Sequence, residues 1–321
     1  MSIAAPPPSE LVEQAVTLRS QGRLAEAEMA ARAALHLAPG DAGARWALAT
    51  ALLIQGRYAE GLPLLDARHE LFGRFKPPLP YPEWTGEPVE RLLVWPEQGF
   101  GDQIQVARFA AALAERMAVT WICPPPLARL FRASLPVEIV EVAQTIEFPD
   151  PDAWVMCFSL PARLGLARPE EAASGPYLRA PDEARARWRG FAGEGCNIGV
   201  AWRGNPGHPN DRSRSMPSAE ALAPLAAFGR LHDLTEPRGD FADTAALVEQ
   251  MDLIVSVDTA LAHLAGALGK PTRLLLPAQE YDWRWLWGRE DSPWYPSMRL
   301  YRQPSPGDWA SVVGRVAKEL G

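Results

Sequence analysis

A repeat near the start of the chain most limits how it can fold. The segment Gln21-Gly22-Arg23-Leu24-Ala25-Glu26-Ala27 returns as Gln55-Gly56-Arg57-Tyr58-Ala59-Glu60-Gly61, so that position 21 matches position 55, an offset of 34. Apolar residues at helical spacing precede and follow each glycine, and each copy therefore predicts a pair of helices. Two copies are fewer than the three or so that stabilise a free array. We expect them to dock on the rest of the chain or on a second copy.

The period and the glycine turns give residues 8–75 a resemblance to tetratricopeptide (TPR) helical hairpins. The alternative is an ordinary bundle of helical hairpins. TPR grooves usually bind peptides or proteins, so the resemblance implies a protein partner.

The chain changes character after a linker rich in proline and glycine, which runs from Phe75 to Val89. Beyond it, short apolar strands alternate with helical patterns, which is typical of parallel sheets covered by helices. We predict helical repeats over residues 1–76, a linker over 77–90, and two Rossmann-like halves over 91–180 and 190–321. The predicted strands are 92–95, 119–123, 137–142, 154–158, 198–202, 231–234, 253–257, 273–276 and 298–301. The predicted helices are 103–117, 127–133, 218–228 (capped by Ser218), 244–251, 260–268 and 309–320.

Composition and charge narrow the classes of function. The formal net charge of −7 argues against a nucleic-acid binder that works by bulk charge. The sequence contains no run of 18 apolar residues, so no membrane-spanning segment is predicted. The three cysteines are far apart and odd in number, which argues against a disulfide framework or a zinc site. The first ten residues lack the pattern of a secretory signal, and we expect a cytoplasmic protein.

The first candidate site is the turn Gln98-Gly99-Phe100-Gly101-Asp102, which follows a predicted strand and opens a helix. Its glycines let the backbone approach a ligand closely, and free N–H groups at a helix start favour anions. Asp102 lies at or near the helix cap, and it is either a functional carboxylate facing a cleft or simply a capping residue. The turn lacks the full spacing of a dinucleotide-binding loop.

The second candidate is the polar loop from Trp202 to Ser215, which also follows a strand and precedes a helix. It carries three arginines, whose guanidinium groups suit phosphate oxygens. The alternative is a solvated loop without function.

Two further segments carry candidate residues. Asp258 and Thr259 precede a predicted helix whose first N–H groups form an anion site, and His263 lies about one turn into that helix. The alternative for His263 is a satisfied structural histidine. The segment Trp283–Pro296 contains four tryptophans and one tyrosine, and it either lines a base or sugar pocket or covers a sheet edge.

Taken together, residues 82–321 resemble the glycosyltransferase domain of bacterial TPR-containing glycosyltransferases, and more distantly the ADP-heptose:lipopolysaccharide heptosyltransferases. The stretches that carry this resemblance, in the order of the family, are Glu97–Asp102 with Gln105 and Arg108, Ser159–Pro161, Trp202 with Gly204–Pro206, His208 and Asn210–Ser215, Asp258–Thr259 with His263–Ala265, and Ser292–Pro296.

The resemblance implies the GT-B fold, in which two Rossmann-like domains hold a nucleotide sugar in the cleft between them. The predicted fold class is therefore α plus α/β: N-terminal TPR hairpins followed by a compact GT-B-like pair. It implies inverting transfer without a metal or a cofactor, from a nucleotide-diphosphate sugar, with Asp102 on the position of the general base. The residues assigned to the donor diphosphate or nucleotide are Gly99, Gly101, Arg203, Asn205, Arg212, Arg214, Asp258, Thr259, Ala260 and His263. The pocket-lining candidates are Gln105, Trp202, His208, Trp283 and Trp294.

The chain departs from the family pattern in one place. Relatives usually carry a loop, a helix and a short strand where only Thr235 to Asp240 stands here, and that region commonly helps to hold the base and ribose. Arg203 stands where the family has a small residue.

Three functions stay open on the sequence. The leading hypothesis is transfer to Ser or Thr of a protein such as flagellin, presented by the TPR segment. The others are transfer to a lipid or polysaccharide, and a non-catalytic scaffold that binds a protein through its TPR face. A homo-oligomer is compatible with each of them.

Overall fold

The computed structural model describes residues 6–73, 76–172, 175–279 and 282–321. The first five residues lie outside this part, and they fall in the segment for which no secretory signal is predicted. Phe75 of the predicted linker also lies outside it. The chain divides into two compact units. The helical unit comprises Met1–Pro78, Pro161–Ala172 and Gln279–Arg289, and the sheet unit comprises Leu79–Leu160, Ala173–Ala278 and Glu290–Gly321.

The helical unit begins with helix–turn–helix pairs around the repeated glycines. Gly22 and Gly56 have φ of 76° and 79°, the left-handed conformation that favours glycine. Asp41 caps the third helix, since its Oδ1 accepts the Ala44 N–H at 2.6 Å. The assignment of these hairpins to the TPR class stays a prediction. The helices are α1 Pro8–Ser20, α2 Leu24–Leu37, α3 Ala42–Leu53, α4 Tyr58–Gly61 and α5 Arg68–Phe72.

The second helix of the second copy is not continuous. Between α4 and α5 the residues Leu62–Ala67 form a 3-10 helix, with Pro63 in its first turn. Proline lacks the N–H that an α-helix needs, which explains the change of hydrogen-bond pattern.

Two later segments of the chain complete the helical unit. The Trp287 N–H donates to the Ile54 carbonyl at 3.0 Å, and the Ala59 N–H donates to the Ala167 carbonyl at 3.1 Å. A Cβ at Gly22 would lie 2.2 Å from the Trp287 ring, whereas a Cβ at Gly56 would lie 3.4 Å from Pro169. The two hairpins therefore do dock on other parts of their own chain.

The first half of the sheet unit is a parallel sheet in the order β3-β2-β1-β4. Most of these strands are short apolar runs, and the helices between them place the carboxyl ends of the strands at one edge. The elements are β1 Arg91–Trp95, α6 Phe100–Val106, α7 Ala110–Ala114, β2 Ala118–Cys123, α8 Pro125–Ser134, β3 Glu138–Glu141, β4 Ala153–Met156 and α9 Leu160–Arg163, of which the last leads into the helical unit.

The second half is a parallel sheet in the order β6-β5-β7-β8-β9. Its core packs Val255 and Val257 against Val312 and Val316 of the closing helix. The elements are α10 Asp182–Arg187, β5 Asn197–Ala201, α11 Asp211–Arg214, β6 Arg230–Asp233, α12 Phe241–Glu249, β7 Leu253–Val257, α13 Ala260–Ala267, β8 Thr272–Leu276, β9 Met298–Arg302 and α14 Trp309–Leu320.

Two predicted helices take other forms. Ala219–Ala227 is a 3-10 helix that contains Pro224, and Ser218 makes no side-chain cap to it. The predicted helix 103–117 begins earlier, at Phe100, and is interrupted by a 3-10 turn over Ala107–Phe109. The remaining predicted strands and helices are present within a few residues of their predicted ends. No helix in the described ranges is long and apolar enough to cross a membrane.

Candidate functional site

The turn after β1 has the predicted form, with Asp102 as a helix-capping residue. The Gly99 N–H donates to Oδ2 of Asp102 at 2.9 Å, so the carboxylate closes the first turn of α6. Gln98 has φ of 62°, which costs a residue with a side chain about 1–2 kcal/mol. Local strain of this kind is often kept at functional turns.

The turn after β1 and the start of α13 meet directly. A Cβ added to Gly101 would lie 2.8 Å from Cδ2 of His263 and 3.3 Å from Cα of Ala260. Gly101 is therefore required by the close approach of the His263 ring and the Ala260 backbone, and not by its φ. This contact brings three predicted site residues together from the two halves of the sheet unit.

The start of α13 leaves N–H groups for a ligand. Thr259 is the N-cap, but its side chain makes no capping hydrogen bond. Its hydroxyl lies instead 3.3 Å from the Ser256 hydroxyl. The first N–H groups of a helix have no partner within it, and they carry the positive end of the helix dipole. Asp258 directly precedes this cap and is half-buried.

The loop from Trp202 to Ser215 is organised around Asp211, which was not among the predicted site residues. The Ser215 hydroxyl donates to Oδ1 of Asp211 at 3.0 Å and accepts the Gly204 N–H at 2.9 Å. A Cβ at Gly204 would lie 2.6 Å from the same Oδ1. The carboxylate thus folds the loop tightly on itself.

The three arginines of this loop differ in their charge partners. Arg203 pairs with Glu236, and its guanidinium lies 5.2 Å from the centre of the Trp202 ring. Arg214 lies 3.6 Å from Asp211. Arg212 is exposed and makes no ion pair with any residue of the described chain. It is the cation of the loop that is available to a ligand.

Two polar residues predicted for this site close turns of the loop itself. Oδ1 of Asn205 accepts the Gly207 N–H at 2.9 Å, and Nδ1 of His208 accepts the Asn210 N–H at 3.2 Å. Both residues are exposed. Trp202 is half-buried, and its indole N–H donates to Asp233 at 3.2 Å.

Three of the pocket-lining candidates are buried in protein. Gln105 is fully buried, and Trp294 is 1% exposed. Trp283 belongs to the helical unit, where its ring meets Tyr58 edge to face with centroids 5.6 Å apart. These three side chains are packed inside the protein, and their assignment to the lining of a pocket stays a prediction.

Contacts across the sheet unit hold its halves together near these turns. Arg129 on α8 lies 3.0 Å from Asp240 and 3.2 Å from Asp243, which begin α12. Phe100 and Phe241 meet edge to face at 5.2 Å. A cavity of about 480 Å³ lies elsewhere, at the amino ends of β1 and β2, and none of the predicted site residues lines it.

Comparison with known proteins gives a family match over part of the chain and a curated relative. Residues 208–275 match the family described as glycosyltransferase family 9 (heptosyltransferase). The chain is 28% identical over 329 aligned positions to Protein FlbA of Caulobacter vibrioides, with 86% of this chain and 54% of that protein covered. It therefore spans about half the length of this relative.

Solved structures give the fold. The glycosyl transferase family 9 structure from Veillonella parvula matches with a TM-score of 0.50 and 11% identity, covering 68% of this chain and 88% of that one. The E. coli ADP-heptose LPS heptosyltransferase II matches with a TM-score of 0.45 and 14% identity, covering 72% and 97%. The first likeness, together with the two parallel sheets, supports the predicted GT-B-like α/β fold.

Proposed function

We propose that the sheet unit transfers a sugar from a nucleotide-diphosphate sugar to an acceptor hydroxyl. The observation that carries the proposal is the contact of Gly101 with His263 and Ala260. It joins the turn that holds Asp102 to the start of α13, which lies within the matched residues 208–275. An acidic group and an anion-binding helix start thereby lie at one place.

The donor diphosphate binds at the start of α13 and to Arg212. Backbone N–H groups at a helix start and a guanidinium both stabilise phosphate oxygens. They also stabilise the negative charge that grows on the leaving group. The role of Arg203 and Arg214 is smaller, because each already faces a carboxylate.

Transfer is a single displacement with inversion. The acceptor oxygen bonds to the anomeric carbon, the bond from that carbon to the phosphate oxygen breaks, and the nucleoside diphosphate leaves with that electron pair. The acceptor proton passes to the Asp102 carboxylate, which needs hydrogen-bond reach of the hydroxyl. The hydrogen bond from Gly99 holds this carboxylate in place.

The acceptor is a protein held by the helical unit, with Ser or Thr hydroxyls as the reacting groups. The support is the repeat of 34 residues and the hairpins it forms. A flagellin-like acceptor and a cytoplasmic location belong to the same proposal.

A non-catalytic scaffold is the second candidate. Of the strands in the described ranges, β6 is outermost on its side, and only Thr235 to Asp240 joins it to α12. This is the region where the resemblance leads us to expect a longer segment that holds the base and ribose. A protein with this fold that has lost donor binding acts only through its partners.

Calorimetric titration with UDP, GDP, ADP and CMP separates the two candidates. We expect one nucleotide to bind, and Arg212→Ala to weaken it ten- to a hundredfold, since a charged hydrogen bond contributes about 1.5–3 kcal/mol. Arg116→Ala is the control, because Arg116 is also exposed but lies just before β2, at the amino end of a strand in the other sheet. Asp102→Asn should keep nucleotide binding and lower turnover about 10²–10⁴-fold, whereas Asp308→Asn, at the cap of α14, should not. Absence of nucleotide binding would favour the scaffold.

A further inference from the structure

A buried arginine near the candidate site is enclosed by aromatic rings. Arg108 is 8% exposed, and its guanidinium carbon lies 5.0, 5.0 and 4.7 Å from the ring centres of Tyr177, Trp294 and Tyr295. The guanidinium also donates to the carbonyls of Gln105 at 2.8 Å and of Trp294 at 2.6 Å. Cation–π contacts of this kind are strongest where water is excluded. The ring cage and the carbonyls thus fix Arg108 firmly.

Arg108 is connected to His263 through one hydroxyl. The guanidinium lies over the Tyr295 ring and interacts with the hydroxyl of that residue, and this hydroxyl lies 2.9 Å from Nδ1 of His263. His263 is 6% exposed, so water competes little for this contact. Burial raises the pKa of Tyr295 well above its usual value, and its hydroxyl therefore keeps its proton.

The proton positions follow from counting donors and acceptors. A guanidinium can only donate, so Arg108 cannot take the proton of the Tyr295 hydroxyl. Tyr177, which also neighbours this hydroxyl, gives its own proton to the Ile104 carbonyl at 3.0 Å. Two acceptors near the Tyr295 proton are the oxygen of Tyr177 and Nδ1 of His263. The imidazole nitrogen is the more basic of the two and takes the hydrogen bond.

We propose that Tyr295 is a positioning residue, whose hydroxyl donates to Nδ1 of His263 and leaves the proton of the neutral ring on Nε2. Nε2 is bonded to Cδ2, and Cδ2 is the atom that faces Gly101. The N–H of His263 therefore lies on the side of the turn where the donor diphosphate is proposed to bind. This inference rests on the proposed function only for the identity of that ligand.

The test is the tautomer of His263 in the free protein, read from ¹⁵N chemical shifts of histidine-labelled samples. The His263→Gln spectrum assigns the signals among the five histidines. We expect Nδ1 to be unprotonated and Nε2 to be protonated. A proton on Nδ1 in the wild-type protein would overturn the inference without any variant.

The variant Tyr295→Phe removes the hydroxyl and keeps the ring that stacks on Arg108. We expect the preference for a proton on Nε2 to be lost. We also expect the nucleotide found by titration to bind about fivefold more weakly, which corresponds to the free energy of one neutral hydrogen bond. Tyr301→Phe is the matched control, since the Tyr301 hydroxyl bonds to Glu319 and not to His263. An unchanged tautomer in Tyr295→Phe contradicts the proposal even if binding falls. A wild-type protein that binds no nucleotide overturns the proposed function, while the tautomer still decides the role of Tyr295.

Discussion

Substitution of Gly101 by alanine tests the contact on which the candidate site depends. The new Cβ would lie 2.8 Å from Cδ2 of His263 and 3.3 Å from Cα of Ala260, where about 3.4 Å or more is ordinary contact. Helix α13 would have to move by several tenths of an ångström. Such overpacking typically lowers the free energy of unfolding by about 1–3 kcal/mol. Replacement of glycine by alanine inside a helix raises the free energy of unfolding by up to about 1 kcal/mol. We expect a net loss of about 1 kcal/mol.

Thermal unfolding and nucleotide titration measure the two consequences. A loss of 1 kcal/mol lowers the Tm by about 2–4 °C for a domain of 150–250 residues. The displaced helix start should also weaken nucleotide binding at least tenfold, the equivalent of about 1.4 kcal/mol. Gly314→Ala in α14 is the control, because no atom lies within 4 Å of the Cβ it would add, and it should raise the Tm instead.

The reasoning fails if Gly101→Ala stabilises the protein as much as Gly314→Ala does and leaves nucleotide affinity unchanged. The turn and the helix would then be too far apart to share a ligand.

Two further substitutions test packing and capping inside each unit. Gly22→Ala should destabilise the helical unit by about 1 kcal/mol more than Gly56→Ala, because both have left-handed backbones but only the Cβ at Gly22 would strike the Trp287 ring, at 2.2 Å. Equal losses in thermal unfolding would show that this tryptophan does not rest on Gly22. Asp240→Ala should cost about 0.5–2 kcal/mol in urea unfolding, since the carboxylate caps α12 through the N–H groups of residues 242 and 243 at 3.0 and 3.1 Å. Asp240→Asn should recover most of that loss, and a failure to do so would assign the effect to its ion pair with Arg129.

Most of the strands were predictable because they are short apolar runs between turn residues. Leu253–Val257, for example, is fully apolar except for Ser256 and forms β7 over the predicted range. The 3-10 helix at Ala219–Ala227 was predicted as α-helix, although Pro224 could have shown the difference. Asp211 and Arg108 were not assigned to the site, because their importance comes from partners that no local spacing reveals.

What the sequence alone determined is therefore local: the repeated glycine turns, the alternation of strands and helices, and the turns that follow β1, β5 and β7. Each of these features depends on residues that are close together in the sequence. The spacing of apolar residues or the presence of a glycine is therefore enough to predict it. Only the tertiary structure decided that Gly101 packs on His263, that Trp283 joins the helical unit, and that Arg212 rather than Arg203 or Arg214 is open to a ligand. Those contacts form between residues that are far apart in the sequence. The sequence neighbours of a residue do not show which distant side chain it will contact.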